Sequence, residues 1–301
     1  MNSKHTTLFG VIVLAAALAL AGCGRDNLTN PAVASTDPIV FDDDFGDGVD
    51  YQAFMDSKTD AVQMDFTEAF NGPASLRVTV PAPGATDGTF AGGAFTTFSP
   101  RDLSGYNALT FYAKCSVDSS TLDVAGVAND NTGTSLYQSN RNDIPLSPDW
   151  TRVVIPIPNP SRLTAEGGLF WFAEGHENGQ GFDMWFDEVK FEYIEGITNP
   201  RPFMGTRTQS TFVGGLVEIG GTGVTLDLGR EDVDIECLPA CLDYDSSNEE
   251  VATVTDGSVD AVGSGSATIT CRLDEVEGEG RLTVNVLGSP EGPAPAPTVD
   301  P

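Results

Sequence analysis

The chain has 301 residues, of which 15 are basic and 44 acidic, so its formal net charge is −29 at pH 7. A surface this acidic repels phosphate backbones, which argues against nucleic acid as a partner. The two histidines are His5 and His176. His5 lies in the N-terminal segment that is expected to be cleaved from the mature protein. Zinc sites of the HExxH type and Ser-His-Asp triads are therefore excluded, unless His176 acts alone.

The N-terminal residues predict a signal peptide. Lys4 precedes an apolar run from Leu8 to Leu20, which is shorter than the roughly 20 residues needed to cross a bilayer. Leu20-Ala21-Gly22-Cys23 resembles the bacterial lipobox. This resemblance implies cleavage after residue 22 and a lipid on Cys23, which anchors the protein in the bacterial cell envelope, at the outer membrane or cell surface. The mature chain then carries 14 basic and 44 acidic residues, a formal charge of −30.

Composition divides the mature chain into five segments. Residues 23–38 are polar with two prolines and predict a tether, and residues 289–301 form a proline-rich tail. Between these segments, we expect a first domain at 39–195, a linker at 196–210 and a second domain at 211–288.

Short runs rich in β-branched and aromatic residues occupy residues 39–288, and Gly, Pro, Asn and Asp separate them. Examples are SLRVTV (75–80), ALTFYAK (108–114), TRVVIPI (151–157), LFWFAE (169–174) and MWFDEVKFEY (184–193). Helical patterns are nearly absent. The fold class predicted is all-β, with two β-sandwiches in series.

The strand order of the first region resembles the jelly-roll carbohydrate-binding modules of the galactose-binding-like group. The matching stretches are FDDDFGDG (41–48), NGPASLRVTV (71–80), DLSGYNALTFYAK (102–114), DWTRVVIPI (149–157) and WFDEVKFEY (185–193). This resemblance implies a jelly-roll β-sandwich that binds a polysaccharide or glycan.

The same resemblance implies a structural calcium ion shared by the opening turn and the last strand. Asp44 and Asp187 match the two aspartates of the group, with Asp47 and the backbone near Asn71 as further ligands. Calcium takes six to eight oxygen ligands, so several such groups are needed. Gly46 stands where the group often has an acidic residue, which removes one ligand.

The opening stretch also admits other interpretations. An EF-hand that starts at Asp42 puts Ala53 at position twelve, where a bidentate glutamate is required, so that pattern fails. The remaining alternative to a calcium site is a solvated acidic loop.

Glycan binding on a β-sandwich uses aromatic rings against the sugar ring and polar side chains for its hydroxyls. In LFWFAE, alternation puts Phe170 and Phe172 on one face and Trp171 on the other, and one of these faces must be core. Trp171 can thus be core or platform. The candidate ligand-binding residues are Asn129, Tyr137, Arg141, Trp171 and His176.

The second region resembles the bacterial immunoglobulin-like domains of the second group. The similarity lies in YDSSNEEVATVTDGSVDAVGSGSATITCRL (244–273) and RLTVNVL (281–287). It implies a smaller seven-stranded sandwich that serves as a spacer or adhesive module.

Four cysteines remain in the mature chain besides Cys23, and an oxidising envelope favours disulfides. Cys237 and Cys271 share the core-facing phase of their strands, so a Cys237–Cys271 bridge is the preferred pairing. Cys237–Cys241 and Cys241–Cys271 are alternatives, and Cys115 is expected to be a free buried thiol.

Together these features predict a non-catalytic, lipid-anchored surface protein that binds a polysaccharide through its jelly roll. The alternative is a structural or adhesive envelope protein that contacts surface-protein partners. A glycan-active enzyme is a third interpretation, because the separation of paired carboxylates cannot be deduced from sequence.

Overall fold

The computed structural model describes residues 34–288, and within them the all-β prediction is confirmed. The regular elements there are β-strands and two short 3₁₀ turns, at Pro160–Arg162 and Pro239–Cys241. The signal peptide, the lipidation residue Cys23 and the tail 289–301 lie outside the described residues, as does most of the tether.

The first region contains eleven strands. In chain order they are β1 (Ile39–Phe41), β2 (Val49–Ala53), β3 (Val62–Asp65), β4 (Ser75–Val80), β5 (Ala91–Arg101), β6 (Ala108–Cys115), β7 (Ser120–Val127), β8 (Ser139–Leu146), β9 (Thr151–Pro156), β10 (Glu166–Glu174) and β11 (Phe182–Glu192).

These strands form two antiparallel layers. One is a six-stranded sheet with the order β3-β4-β11-β6-β9, in which β1 also pairs with β11. The other layer has the order β8-β7-β10-β5-β2. Alternating side chains from both layers fill the space between them, which is the sandwich arrangement expected from the short strands.

Phenylalanine rings dominate the core between the layers. The ring centroid of Phe170 lies 5.2 Å from that of Phe95 and 5.3 Å from that of Phe111. The centroids of Phe172 and Phe186 are 5.2 Å apart. All five rings are fully buried. Each such pair contributes about 0.5–1.5 kcal/mol beyond its buried area.

A buried arginine holds the opening acidic stretch in place. The Arg101 guanidinium donates to the backbone oxygens of Asp37, Ile39 and Asp47. Gly46 lies inside this arrangement, where a Cβ atom would lie 2.2 Å from the Ile39 oxygen. The stretch is therefore a short strand followed by a tight turn, and Gly46 is required there for space.

The second region contributes the remaining strands. They are β12 (Ile197–Phe203), β13 (Arg207–Phe212), β14 (Leu216–Glu218), β15 (Gly223–Leu228), β16 (Glu231–Cys237), β17 (Asp243–Ser246), β18 (Ala252–Thr255), β19 (Ser258–Ala261), β20 (Gly265–Leu273), β21 (Val276–Glu277) and β22 (Leu282–Leu287). One sheet has the order β13-β22-β20-β17, with β21 beside β20, and another has the order β14-β19-β18.

The segment 196–210, expected to be a linker, is instead largely strand. It contains β12, which pairs with β15, and the first part of β13, which pairs with β22. The prolines in β12 do not prevent pairing, because a strand with only one neighbour leaves half of its N–H groups outside the ladder.

The two regions share one sheet. Strand β16 pairs with β8 through Glu236 with Asn140 and Cys237 with Ser139, which gives an eight-stranded sheet of order β12-β15-β16-β8-β7-β10-β5-β2. This pairing satisfies backbone groups that two separate sandwiches would expose at their edges. The outer face of this sheet is therefore continuous from the first region into the second.

None of the helical turns within residues 34–288 is long and apolar enough to cross a membrane.

Candidate functional site

Trp171 lies on the outer face of the eight-stranded sheet. Its neighbours Phe170 and Phe172 point into the core, so the alternation predicted for LFWFAE holds and Phe170 and Phe172 form the core pair. Directly opposite Trp171 are Ala94 on β5 and Gly126 on β7. Small residues on both sides leave room for the indole ring against the sheet.

The indole has an unsatisfied polar atom. Trp171 is 7% exposed, and its Nε1 has no hydrogen-bond partner among the described residues. A Cβ atom on Gly126 would lie 2.7 Å from this Nε1, so the indole extends over the glycine toward β8. Buried polar atoms are normally paired, so this enclosed donor is an exception among the described residues.

Two further rings lie beside Trp171. Phe54 meets the indole edge to face, with ring centroids 6.3 Å apart, and Phe90 covers Gly92, where a Cβ would lie 2.9 Å from the ring. Both phenylalanines are half-buried. Phe54, Phe90 and Trp171 are called the aromatic patch below.

Amide side chains flank the aromatic patch. Gln52 is directly opposite Ala94 on one side, and Asn140 is directly opposite Gly126 on the other. The Asn140 Nδ2 donates to Asn142 Oδ1 at 2.9 Å, which leaves its own Oδ1 available as an acceptor. The surface thus combines apolar ring faces with hydrogen-bonding groups, the set required to bind a sugar.

The predicted ligand residues Tyr137 and Arg141 lie elsewhere. Arg141 is opposite Ala125, on the core side of β8, and its guanidinium contacts the Val154 oxygen and the Glu231 carboxylate. Tyr137 packs against the core and lines a cavity of about 240 Å³ that the aromatic patch does not line. Arg141 does not join Trp171, because alternation puts it on the opposite face of β8 from Asn140, and Tyr137 lies in the loop before β8.

Asn129 and His176 lie beyond the ends of the strands that carry the patch. The Asn129 side chain accepts the backbone N–H of Asn131 and so closes a turn. His176 is exposed in the loop after β10. Five residues separate it from Trp171, roughly 16 Å along an extended chain.

Two of the predicted calcium ligands, Asn71 and Asp187, lie side by side, and the contact between them is a hydrogen bond from the Asn71 backbone N–H. The buried carboxylate of Asp187 accepts backbone N–H groups from Phe70 at 2.8 Å, Asn71 at 3.2 Å and Glu188 at 2.7 Å. Burial raises the pKa of Asp187, and these N–H groups partly offset the rise. Positive N–H dipoles thus point at the carboxylate where a cation would bind, so the arrangement does not fit calcium.

The other predicted ligands have separate partners. Asp44 accepts the N–H of the adjacent Phe45, and the backbone oxygen of Asp47 accepts from Arg101. The Asn71 side chain donates to Glu188. Within residues 34–288, no group of three or more His, Cys, Asp or Glu side chains is arranged to hold a metal ion.

Two carboxylates with raised pKa values mark the ends of β10. Burial raises the pKa of Glu174 to about 8 and that of Glu166 to about 7, with the nearby charges of Asp123 and Asp130 acting in the same direction. Eight residues of strand separate Glu166 from Glu174, roughly 26 Å. Glycosidase carboxylate pairs lie about 5–9.5 Å apart, so these two glutamates do not form such a pair.

The outer face of the six-stranded sheet carries a second group of aromatic residues. Phe70 stacks on Tyr112 with centroids 3.5 Å apart, and Lys114 Nζ lies 5.8 Å from the ring of Trp150 and 5.4 Å from that of Trp185. The Trp185 Nε1 donates to Asp65. Most of these rings and polar groups already have partners from the protein itself.

The second-region cysteines cluster in the core. The neighbouring Cys237 thiol and burial raise the pKa of Cys241, and the Cys241 thiol donates to the Gln138 oxygen at 4.0 Å. Burial raises the pKa of Cys271 to about 11. Cys115, Cys237, Cys241 and Cys271 are all buried free thiols in the structure.

Sequence reasoning identified Trp171 but missed the residues that surround it. These are Gln52, Phe54, Phe90 and Asn140. The alternation of VDYQAF already places Gln52 and Phe54 on one face, and the glycines at 92 and 126 were a usable signal of rings lying against the backbone.

No family model and no curated protein match the sequence. Three solved structures illustrate its similarities. A family 11 carbohydrate-binding module from Clostridium thermocellum, solved with a β-1,3-1,4-mixed-linked tetrasaccharide, is 13% identical, with a TM-score of 0.37, and 53% of this chain and 97% of that chain are covered.

A family 30 module of a C. thermocellum cellulosomal cellulase is 17% identical, with a TM-score of 0.32 and coverage of 54% and 96%. A β-1,2-glucanase from Parabacteroides distasonis is 11% identical, with a TM-score of 0.34 and coverage of 86% and 40%.

Proposed function

We propose that the protein binds a polysaccharide on the outer face of its eight-stranded sheet, without catalysis. The observation that carries this proposal is the aromatic patch, in which the half-buried rings of Phe54 and Phe90 accompany Trp171 on the outer face, with amide groups on both sides. A pyranose ring offers C–H groups for the aromatic patch and hydroxyls for the Gln52 and Asn140 side chains.

The electrostatics support binding over hydrolysis. Of the carboxylates whose pKa values burial raises, Glu166 and Glu174 lie at opposite ends of β10, and Asp187 lies on β11 in the other sheet. The centre of the patch contains ring faces and amides, the groups that hold a sugar without activating a water molecule.

Affinity electrophoresis tests the proposal. The full chain is run through gels containing mixed-linked β-glucan, soluble cellulose derivatives, xylan, mannan or alginate, and we expect retardation by at least one neutral polymer. Trp171→Phe shrinks the ring against which Phe54 packs and Phe54→Ala removes a partly exposed ring, so each variant should lose most of the retardation. Phe66→Ala is the control, because Phe66 is 73% exposed in the β3–β4 loop of the other sheet.

Retention on none of these polymers by the unmodified chain would contradict glycan binding. Retention that both Trp171→Phe and Phe54→Ala preserve would move the binding surface away from the patch. The melting temperature of each variant shows whether a loss arises from unfolding.

A second function rests on the six-stranded sheet. Phe70 is 40% exposed and lies against Tyr112 and Trp150, a grouping of aromatic residues that is typical of protein-binding hot spots. In an adhesive envelope protein this face would contact a surface-protein partner. Capture of such a partner that Phe70→Ala abolishes and added glycan leaves unchanged would favour this function.

We infer the cellular setting from the sequence alone. A lipid on Cys23 would tether the chain to the envelope, and the immunoglobulin-like similarity of residues 244–287 suits a module that supports a binding domain. Mass spectrometry of the N-terminal peptide from bacterial membranes tests this setting. An unmodified cysteine or an uncleaved leader would contradict the anchor.

A further inference from the structure

A cavity of about 370 Å³ lies at the junction of the two regions, where β8 pairs with β16. Both regions line it: Gln138 and Asn140 from the first, and Phe203, Glu236 and Leu238 from the second. We refer to this cavity as the junction groove. It lies on the shared sheet that replaces the expected linker arrangement.

The register of the sheet puts the junction groove in line with Trp171. Reading across neighbouring strands, the directly opposed residues are Trp171, Gly126, Asn140, Glu236, Gly223 and Phe203. Directly opposed residues share one face of a sheet. Five strand intervals separate Trp171 from Phe203, roughly 24 Å at the usual strand spacing.

Phe203 is held in the same way as Trp171. A Cβ atom on Gly223 would lie 2.4 Å from the Phe203 ring, so that ring also lies over a glycine of the adjacent strand. It is half-buried, which leaves part of the ring accessible from the groove. The opposed residues from Trp171 to Phe203 are called the row below. The row therefore has an aromatic ring over a glycine at each end.

Polar groups lie between the two rings. The Glu236 carboxylate is exposed, the Gln138 side chain is half-buried, and Asn140 has a free acceptor oxygen. A carboxylate accepts two hydroxyl protons, and an amide both donates and accepts. This set suits sugar hydroxyls, whereas a uronic acid or sulfated sugar would place a second negative charge beside Glu236.

We propose that the junction groove is a second glycan-binding subsite, in which Phe203 and Glu236 hold a neutral sugar residue of the same chain that the aromatic patch binds. This inference rests on the proposed function. The second region then contacts the glycan directly and also serves as a spacer. A glycan that spans both subsites must extend along the row from Trp171 to Phe203.

Isothermal titration of the full chain tests the subsite. The probes are trisaccharides and octasaccharides cut from the neutral polymers of the panel that retard the unmodified chain. We expect Phe203→Ala and Glu236→Gln to weaken binding of the octasaccharide at least five-fold. Their affinity for the trisaccharide should stay within two-fold of the unmodified chain, because a short ligand is held by the patch alone.

Matched controls are Phe212→Ala, which removes a 47%-exposed ring of the second region, and Glu275→Gln, which removes an exposed carboxylate. Both should bind as the unmodified chain does. Glu236 is exposed, so Glu236→Gln keeps the test valid even if Phe203→Ala lowers the melting temperature.

The outcomes separate this inference from the proposed function. Octasaccharide binding unchanged in both groove variants, but lost in Trp171→Phe, would overturn the subsite and leave the proposed function intact. No binding of any polymer of the panel by the unmodified chain would overturn both. Stronger binding to alginate than to any neutral polymer would overturn the neutral-sugar assignment.

Discussion

The carboxylate of Asp187 accepts a 2.8 Å hydrogen bond from the backbone N–H of Phe70, and this bond joins the closing strand β11 to the loop before β4. Asn71 and Glu188 supply two more backbone N–H donors to the same carboxylate. Asp187 is fully buried, so these three N–H donors are needed to offset the free-energy cost of burying its carboxylate.

Asp187→Ala should destabilise the protein by about 2–4 kcal/mol, because it leaves several backbone N–H groups without partners. Chemical denaturation measures the change in the free energy of unfolding. Asp183→Ala is the control: its ion pair with Arg77 is partly exposed, so the expected loss is about 1 kcal/mol or less. Equal losses in the two variants would contradict the structural role of Asp187.

Calcium should leave the melting temperature unchanged, since the Asp187 carboxylate is occupied by N–H donors and Asp44 and Asp47 have other surroundings. Thermal unfolding with EDTA and with calcium chloride measures this. Sodium chloride at matched ionic strength is needed as a control, because any salt screens the repulsion in a chain this acidic. A rise in melting temperature with calcium chloride but not with sodium chloride would contradict this prediction and support a calcium site.

Oxidation should join Cys237 to Cys241, because the Cys237 thiol is the neighbour that most raises the pKa of Cys241 and the two cysteines are close in sequence. In a refolding buffer with oxidised glutathione, the two thiols lose two hydrogen atoms as the S–S bond forms, and the glutathione disulfide is reduced to two thiols. Peptide mapping identifies the linked cysteines. A dominant Cys237–Cys271 peptide would instead support the pairing preferred from the strand phase.

Stability should fall as the pH rises from about 5 to about 8. Burial raises the pKa of Glu174 to about 8, above its unfolded value, so the native state holds a proton that the unfolded chain releases. The free energy of unfolding then decreases by up to about 1.4 kcal/mol per pH unit across this window, and Glu166 contributes over its lower part.

Glu174→Gln should flatten this pH dependence, because the amide mimics the protonated acid and its oxygen can still accept the Asp123 N–H. Denaturant midpoints at several pH values measure the slope. Glu249→Gln, an exposed substitution, should keep the slope of the unmodified chain. A Glu174→Gln slope equal to that of the control would contradict the buried, protonated state.

Local patterns predicted the parts of the fold that depend on neighbours in sequence. Alternation in LFWFAE identified Phe170 and Phe172 as one face and Trp171 as the other, and both assignments of side chain to face agree with the structure. Tyr137 and Arg141, named as candidate ligand residues, lie away from Trp171 in the structure. A strand phase states which residues share a face, but it does not state which face is outward.

The sequence by itself determined that the chain is all-β and which residues alternate, because burial on one side of a strand imposes a two-residue period. Only the tertiary structure decided that β16 joins β8, that Glu236 lies opposite Asn140, and that Asp187 meets Phe70. These contacts join residues about a hundred positions apart. These contacts are stabilised by hydrogen bonds to backbone groups that would otherwise be unpaired. The two-residue alternation along one strand does not specify which distant residue supplies the partner.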